Sequence, residues 1–357
     1  MKSLYVYGIR GIPEVQGGAE RHCESLYLRL LDDYKVRLFG RVRYRKREVF
    51  RWVSWLPSPR SKHLETIVHS FLCTLICIRE RPDVVHIHNI GSAFFIPLLR
   101  LFRIRTVLTV HSLNYEHDKW GSKAKKVLKL GEWLGLRWAN KIITVSDHLK
   151  NRLEEKYGRK DIVHIPNGVY KPNIIPQNQV FVKYKIKKGE YVLLVGRLTP
   201  EKGFHNAVSA YRKIDDPPFK LVIAGGTDLE TNYANNLKLY ACPNIIFTDY
   251  LPYSDLSELY SSAGLFLSTS VNEGFPLSLL EALAHRLPVL VSDIPAHREV
   301  DLVGVRYYKG QEELVVKMQA LFKYGVSHRE LENYEKLLET KYSWVSIAHQ
   351  TKEVYED

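Results

Sequence analysis

The stretch "LFLSTSVNEGFPLSLLEALAHRLPVLVSD", Leu265 to Asp293, reads as a strand, a helix and a second strand. Its two flanking runs, "LFLSTS" (265–270) and "PVLVSD" (288–293), are short, unbroken and apolar, and each ends in small polar residues, as strands buried on both faces do. Pro276 suits the first turn of the helix between them. Strand, helix and strand in that order predict a parallel sheet with a crossover helix. Two glutamates, Glu273 and Glu281, stand in this apolar setting, where a carboxylate is costly unless something pairs with it.

The same pattern extends in both directions. "YVLLVGR" (191–197), "KLVIAGG" (220–226) and "NIIFTDYL" (244–251) precede it. An earlier series comprises "LYVYG" (4–8), "KVRLFG" (35–40), "DVVHIHN" (83–89), "RTVLTVHS" (105–112), "KIITVS" (141–146) and "DIVHIPNG" (161–168). Helical patterns lie between several of these runs, among them 17–33 and 64–80. In the latter, Leu64, Ile67, Val68, Phe71, Leu72, Leu75 and Ile76 follow the i, i+3, i+4 rule. Between the two series, 170–190 is rich in Pro, Asn and Lys and lacks periodicity. The chain is therefore expected to be α/β, with two Rossmann-like doubly wound parallel-sheet domains, 1–172 and 191–340, joined by a linker over 173–190. Ligands of such sheets bind beyond the carboxyl ends of the strands, so two of them facing each other would frame a cleft.

The chain has 357 residues, long for one core. Its 45% hydrophobic and 25% charged residues are ordinary for a globular protein, but a net charge of +13 is not and predicts anionic partners. The four cysteines have no zinc-site spacing and read as reduced thiols, with Cys73 and Cys77 in packing roles. "MKSLYVYGIRGIP" reads as a first strand and not a signal peptide. "FLCTLICI" (71–78) falls well short of the roughly 20 residues a membrane span needs. A cytoplasmic protein, in solution or on the membrane surface, is expected.

Chemistry is sought at strand ends. "VGRLTPEKGF" places Arg197 at one strand end and Lys202 shortly after it. Around Gly274, Phe275, Pro276 and Leu277 a helix begins, and its free amides and partial positive charge suit a phosphate. With Arg197 and Lys202 beside it, a diphosphate would be held there. Glu281, a turn deeper, would accept hydrogen bonds from a ribose diol, and Glu273, at the mouth, would meet the hydroxyls of a sugar. No D-x-D follows a strand, so no metal is expected; the two cations and the helix start would neutralise a leaving diphosphate instead.

"GRLTPEKG" followed by "EGFPLSLLEALAHRLPVLVSD" resembles the retaining GT-B glycosyltransferases of family 4, also called group 1, over nearly the whole chain. That family's pair of glutamates separated by seven residues matches Glu273 and Glu281, and its diphosphate-binding Arg and Lys match Arg197 and Lys202. The resemblance implies a GT-B fold with an acceptor-binding first domain, a donor-binding second domain, and a C-terminal helix over 341–357 crossing back to the first. It implies a hexosyltransferase-type enzyme with no cofactor, taking a nucleotide diphosphate sugar as donor and a saccharide or lipid-linked acceptor. "GIRGIPEVQGGAER" is not spaced as a dinucleotide fingerprint. It is similar to a bacterial surface-polysaccharide subgroup that includes rhamnosyltransferases, in which the paired glycines, here Gly17 and Gly18, admit the donor phosphate. His111, after "TVLTV", matches a histidine that touches the transferred sugar, so the catalytic set is His111, Glu273, Arg197 and Lys202. Glu20, His88 and Ser146 are acceptor-side candidates. Arg286 departs from the family, which usually carries glycine there.

"KVRLFGRVRYRKREVFRW" (35–52) is densely cationic with interleaved aromatics, which suits an anionic membrane surface carrying the acceptor; nucleic acid is not expected. The alternative readings are a nucleotide-sugar epimerase of the same architecture, a phosphorylase, for which the chain is short, and a non-catalytic nucleotide-binding protein.

Overall fold

The computed structural model describes residues 1–13, 15–46, 49–61, 64–113, 115, 121–172, 178–227, 231–300 and 304–357. They form two compact units: Met1–Gly168 together with Trp344–Asp357, and Val169–Ser343.

The first unit is built on a parallel sheet of β1 (Lys2–Tyr7), β2 (Tyr34–Arg41), β3 (Val53–Leu56), β4 (Val84–His88), β5 (Thr106–Val110), β6 (Lys141–Thr144) and β7 (Ile162–His164), in the order β3-β2-β1-β4-β5-β6-β7. The central strands are buried on both faces, as β4 and β5 show along their whole length, so they read as continuous apolar runs. Helices cover both faces. On one side Gly18–Leu30 packs with the final helix, Trp344–Glu356, and Trp344, Ile347, Val354 and Tyr355 belong to the core beneath. On the other side lie Glu65–Glu80, the 3-10 stretch Ile90–Phe95, and Ser122–Trp138.

The apolar stripe of Glu65–Glu80 is not the face that packs on the sheet. His69, Ser70, Cys73, Thr74 and Cys77 are buried, whereas Leu64, Phe71 and Leu75 are exposed. Mostly small polar or sulfur-bearing side chains face the strands, while Ile76 and Ile78 pack at the margin of the core and Phe71 and Leu75 are left outside.

The second unit holds β8 (Tyr191–Val195), β9 (Lys220–Ala224), β10 (Ile245–Asp249), β11 (Leu265–Ser268), β12 (Val289–Ser292) and β13 (Arg306–Tyr308), in the order β10-β9-β8-β11-β12-β13, all parallel. It begins at Val169, a few residues before the expected boundary. The stretch read as a structureless linker contains the helix Gln179–Tyr184, while 173–177 lies outside the described residues. Val180 and Phe181 explain that helix, because both are buried.

In each sheet the winding direction reverses once, between β1 and β4 and between β8 and β11. Ligands of open parallel sheets bind outside the carboxyl ends of strands at such a reversal.

Candidate functional site

The reversal in the second unit gathers the residues singled out there. β8 ends at Val195, and Gly196 and Arg197 follow; β11 ends at Ser268, and the loop to Glu273 follows. Glycines make the close approach of these loops feasible. A Cβ at Gly225 would stand 1.9 Å from the Gly196 carbonyl oxygen, and one at Gly203, whose φ is +62°, would stand 2.1 Å from that of Thr269. Thr269 Oγ1 donates to the Lys202 carbonyl at 3.0 Å, tying the loop after β8 to the loop after β11.

Within this frame Lys202 Nζ lies 2.5 Å from Glu273 Oε1, and Ser270 Oγ donates to the same oxygen at 2.7 Å. Burial pushes the Glu273 carboxyl up, but Lys202 and Ser270 outweigh it and hold the group below the ordinary glutamate range. Ser292 Oγ donates to the Ser270 carbonyl. The buried His297 donates from Nδ1 to the Ser292 carbonyl at 2.7 Å, which leaves Nε2 as acceptor, 3.3 Å from Ser268 Oγ. Burial keeps that imidazole neutral. Ser270, Ser292 and His297 thus fix the carboxylate, and none of the three stood out in the sequence. Ser270 lies just past β11 and Ser292 ends β12, whereas His297 stands in the short helix Pro295–Arg298 and carries no strand-end signal.

Arg197 is partly buried, and its guanidinium has no hydrogen-bond or ion-pair partner among the described residues. A half-buried cation without a counter-charge, beside the Lys202–Glu273 pair, is a ready anion site. The helix Leu277–Ala284 follows the loop that carries Glu273, with Pro276 as its N-cap and not within its first turn. The Leu277 amide donates to the Phe275 carbonyl at 3.1 Å, so it is not one of the open donors expected there. Glu281 is buried in the second turn.

The reversal in the first unit holds a different chemistry. A Cβ at Gly8 would stand 2.1 Å from the His88 carbonyl oxygen, so only glycine lets the loop after β1 lie against the end of β4. Gly17 (φ +149°) and Gly18 open the helix Gly18–Leu30. Glu20, expected on the acceptor side, is instead buried and accepts from Arg10 Nε at 3.0 Å and from the Arg10 amide at 3.2 Å. Burial raises its carboxyl, and Arg10 overcomes this and lowers it. Its observed contacts brace the glycine loop. Ser146 likewise caps the helix Asp147–Tyr157, accepting from the Leu149 amide at 3.2 Å.

His111 follows β5, and its Nε2 is 3.0 Å from His88 Nδ1. His88 Nε2 is 2.7 Å from Tyr27 Oη, which is 2.7 Å from His86 Nδ1; Tyr355 Oη is 2.6 Å from that same nitrogen. His22, on the first helix, is bonded to Asn167 at 2.7 Å. Burial depresses the basicity of all four histidines, and of His22 to about 4, so each is a neutral donor–acceptor. Ring nitrogens of His22, His88 and His111 lie within 4.8 Å of one another, a spacing an ion can bridge. Both His88 nitrogens already have partners, so an ion there would cost a buried hydrogen bond.

In the cationic segment, Arg41 is buried and, with Arg43, faces Glu65 at 3.3 and 3.5 Å. Arg45, Lys46 and Arg51 are exposed, and 47–48 lie outside the described residues. Among the described residues no helix is long and apolar enough to cross a membrane.

Two Rossmann-like parallel-sheet units in one chain are the GT-B architecture. The second half, residues 177–335, matches the model of the glycosyl transferases group 1, and residues 16–170 match that of Glycosyltransferase Family 4. The chain belongs to these glycosyltransferases and is a transferase enzyme. It is similar to the O-antigen chain mannosyltransferase RfbU of Salmonella typhimurium, 29% identical over 61% of this chain and 59% of that one. Among solved structures it is similar in fold to the sucrose-phosphate synthase of Thermosynechococcus elongatus (TM-score 0.83, 18% identity, covering 100% and 98% of the two chains). It is also similar to HepE of Anabaena, solved with UDP and glucose (TM-score 0.80, 14% identity, 100% of both chains).

Proposed function

We propose that this enzyme is a retaining, metal-independent glycosyltransferase of cell-surface polysaccharide biosynthesis. It moves a sugar from a nucleotide diphosphate sugar to a hydroxyl of a glycan or lipid-linked saccharide. The observation that carries this reading is the group at the β8/β11 reversal: a partly buried Arg197 with no ion-pair partner among the described residues, and a Lys202 held in place by Glu273. Arg197 and Lys202 bind the donor diphosphate, and Glu281 takes the ribose. The bond between the anomeric carbon and the diphosphate oxygen breaks, and a bond to the acceptor oxygen forms on the same face. The acceptor's proton passes to the diphosphate oxygen, whose charge the two cations offset. Neutral His111 offers a sugar hydroxyl a hydrogen bond without a competing charge. The kinship with an O-antigen mannosyltransferase supports a polysaccharide acceptor. The exposed cations of 35–52 support attachment to an anionic membrane that carries it.

The test is a thermal-shift screen with UDP-, GDP-, dTDP- and ADP-sugars, since a ligand that binds only the folded state raises the melting temperature. It is followed by transfer assays with chelator present and assignment of the anomeric configuration of the product. Arg197→Ala and Lys202→Ala should each cut turnover at least about a hundredfold while the protein stays folded, the scale of losing a charge that stabilises a transition state. Wild-type rates in both would refute the assignment, and so would an inverted product.

A further inference from the structure

We infer that the outer face of the helical layer formed by Glu65–Glu80, Ile90–Phe95 and Ser122–Trp138 is a membrane-docking surface that seats the enzyme on an anionic phospholipid bilayer. The inference deepens the proposed function and rests on its lipid-linked acceptor.

Apolar side chains on this face point away from the core. Phe71 and Leu75 on the first helix are more than two-fifths exposed and Leu64 at its N-cap just over half, and Val127, Leu130 and Trp133 are similarly exposed on the last. They belong to one surface, because the 3-10 stretch joins the two helices. Phe71 packs against Phe95 with the rings tilted, 5.4 Å between centroids. A Cβ on Gly91 would touch Leu128 of one helix at 3.2 Å and Thr66 of the other at 3.7 Å. Exposed large apolar side chains gathered on one face mark an interaction site.

Charge selects the occupant. The helix Ser122–Trp138 carries Lys123, Lys125, Lys126, Lys129 and Arg137, and of these Lys123, Lys126, Lys129 and Arg137 are exposed. Its one carboxylate, Glu132, is turned inward and fully buried against Lys156 and the Tyr157 hydroxyl. The outer face of this helix is thus apolar and cationic with no carboxylate of its own, and the exposed Glu80 at the end of the first helix is paired with Arg37 at 2.7 Å. A helix of this kind, with long basic stems and a tryptophan beside them, lies in the headgroup region of an anionic leaflet. A second copy of the same face would bring like charges together. Of the cations of 35–52, the exposed Arg43 lies near this surface, 3.5 Å from Glu65 at the start of the first helix.

The full-length protein is to be sedimented with phosphatidylcholine vesicles and with vesicles also containing phosphatidylglycerol. Donor binding is followed in parallel by thermal shift, and oligomeric state by analytical ultracentrifugation. The wild type should bind only the anionic vesicles. Phe71→Ser with Leu75→Ser, and separately Trp133→Ser, should each weaken binding by about tenfold or more, as removal of large inserting side chains does, with the nucleotide-sugar thermal shift unchanged. Lys126→Ser with Lys129→Ser should abolish the preference for phosphatidylglycerol. Three results would overturn the inference: no wild-type binding to anionic vesicles, undiminished binding of every variant, or a dimer that the same variants dissociate. A transferase reading that is wrong would show elsewhere, as no thermal shift with any nucleotide sugar, and would leave the vesicle result standing.

Discussion

Glu273 carries its charge where burial disfavours it, and Lys202, Ser270 and the histidine behind them make that charge tenable. The histidines of the first unit solve the opposite problem by giving up charge. His22, His86, His88 and His111 are neutral in the fold, with His22 near 4 against an ordinary value of 6.5. An unfolded chain protonates these groups below about pH 6.5, whereas the folded one resists until its depressed values are reached. The unfolded state therefore binds more protons in that window, and stability is lost as pH falls through it. His22 alone accounts for roughly 3 kcal/mol, at about 1.4 kcal/mol per unit. The urea midpoint of the first unit should decline steadily from about pH 6.5 towards 4, and His22→Asn should make the decline shallower; a flat wild-type profile would contradict this. In the second unit Arg197, Lys202 and Glu273 drew notice as charged residues near apolar strand ends, and the fold brings the last two together. The roles of Glu20 and Ser146 were not legible, because a carboxylate or hydroxyl reads alike whether it meets a ligand, as Glu20 was expected to, or an arginine, as it does.

The central strands declared themselves by being apolar throughout, since both faces are covered. Edge strands β3 and β13 did not, because "VSWL" and "RYY" are short and only partly buried. The outward stripe of Glu65–Glu80 shows a related limit: periodicity locates a helix but not which face meets the sheet. At the end of Leu277–Ala284, Arg286 has φ +58°. The Leu287 amide bonds back to the Ala282 carbonyl at 3.0 Å and the Arg286 amide to that of Leu283 at 2.9 Å, a Schellman closure that favours glycine at the left-handed position. The family's usual glycine has this physical cause, and arginine is strained there, with only a half-exposed pair to Glu335 at 3.3 Å in return. Arg286→Gly should therefore stabilise the second unit by about 0.5–1 kcal/mol, seen as a higher urea midpoint. An unchanged or lower midpoint would show that the ion pair outweighs the backbone strain.

The chain enters the second unit before the first is complete. Where it crosses, the Val169 amide donates to the Tyr342 carbonyl at 2.9 Å, so entering and leaving segments run side by side. Past that point Trp344–Glu356 returns to the first unit. A Cβ on Gly168 would stand 2.6 Å from the Trp344 ring, so the glycine of "HIPNGV" is what seats this helix. Tyr355 then reaches His86 at 2.6 Å, joining the last helix to the buried histidines. Trp344, Ile347, Val354 and Tyr355 are nearly inaccessible to water. Burying four such side chains is worth roughly 6–12 kcal/mol at most, comparable to the whole stability of a domain. Removal of residues 344–357 should therefore unfold the first unit and leave the second, whose sheet and core lie within 169–343, still cooperative. Hydrogen exchange read by mass spectrometry separates the two: amides of β1, β4 and β5 should lose protection, and those of β8, β9 and β11 should keep it. Full protection of β1 and β4 in the truncated chain would mean that the final helix is an accessory. Loss of protection in both units would mean that the second depends on the first for its own fold.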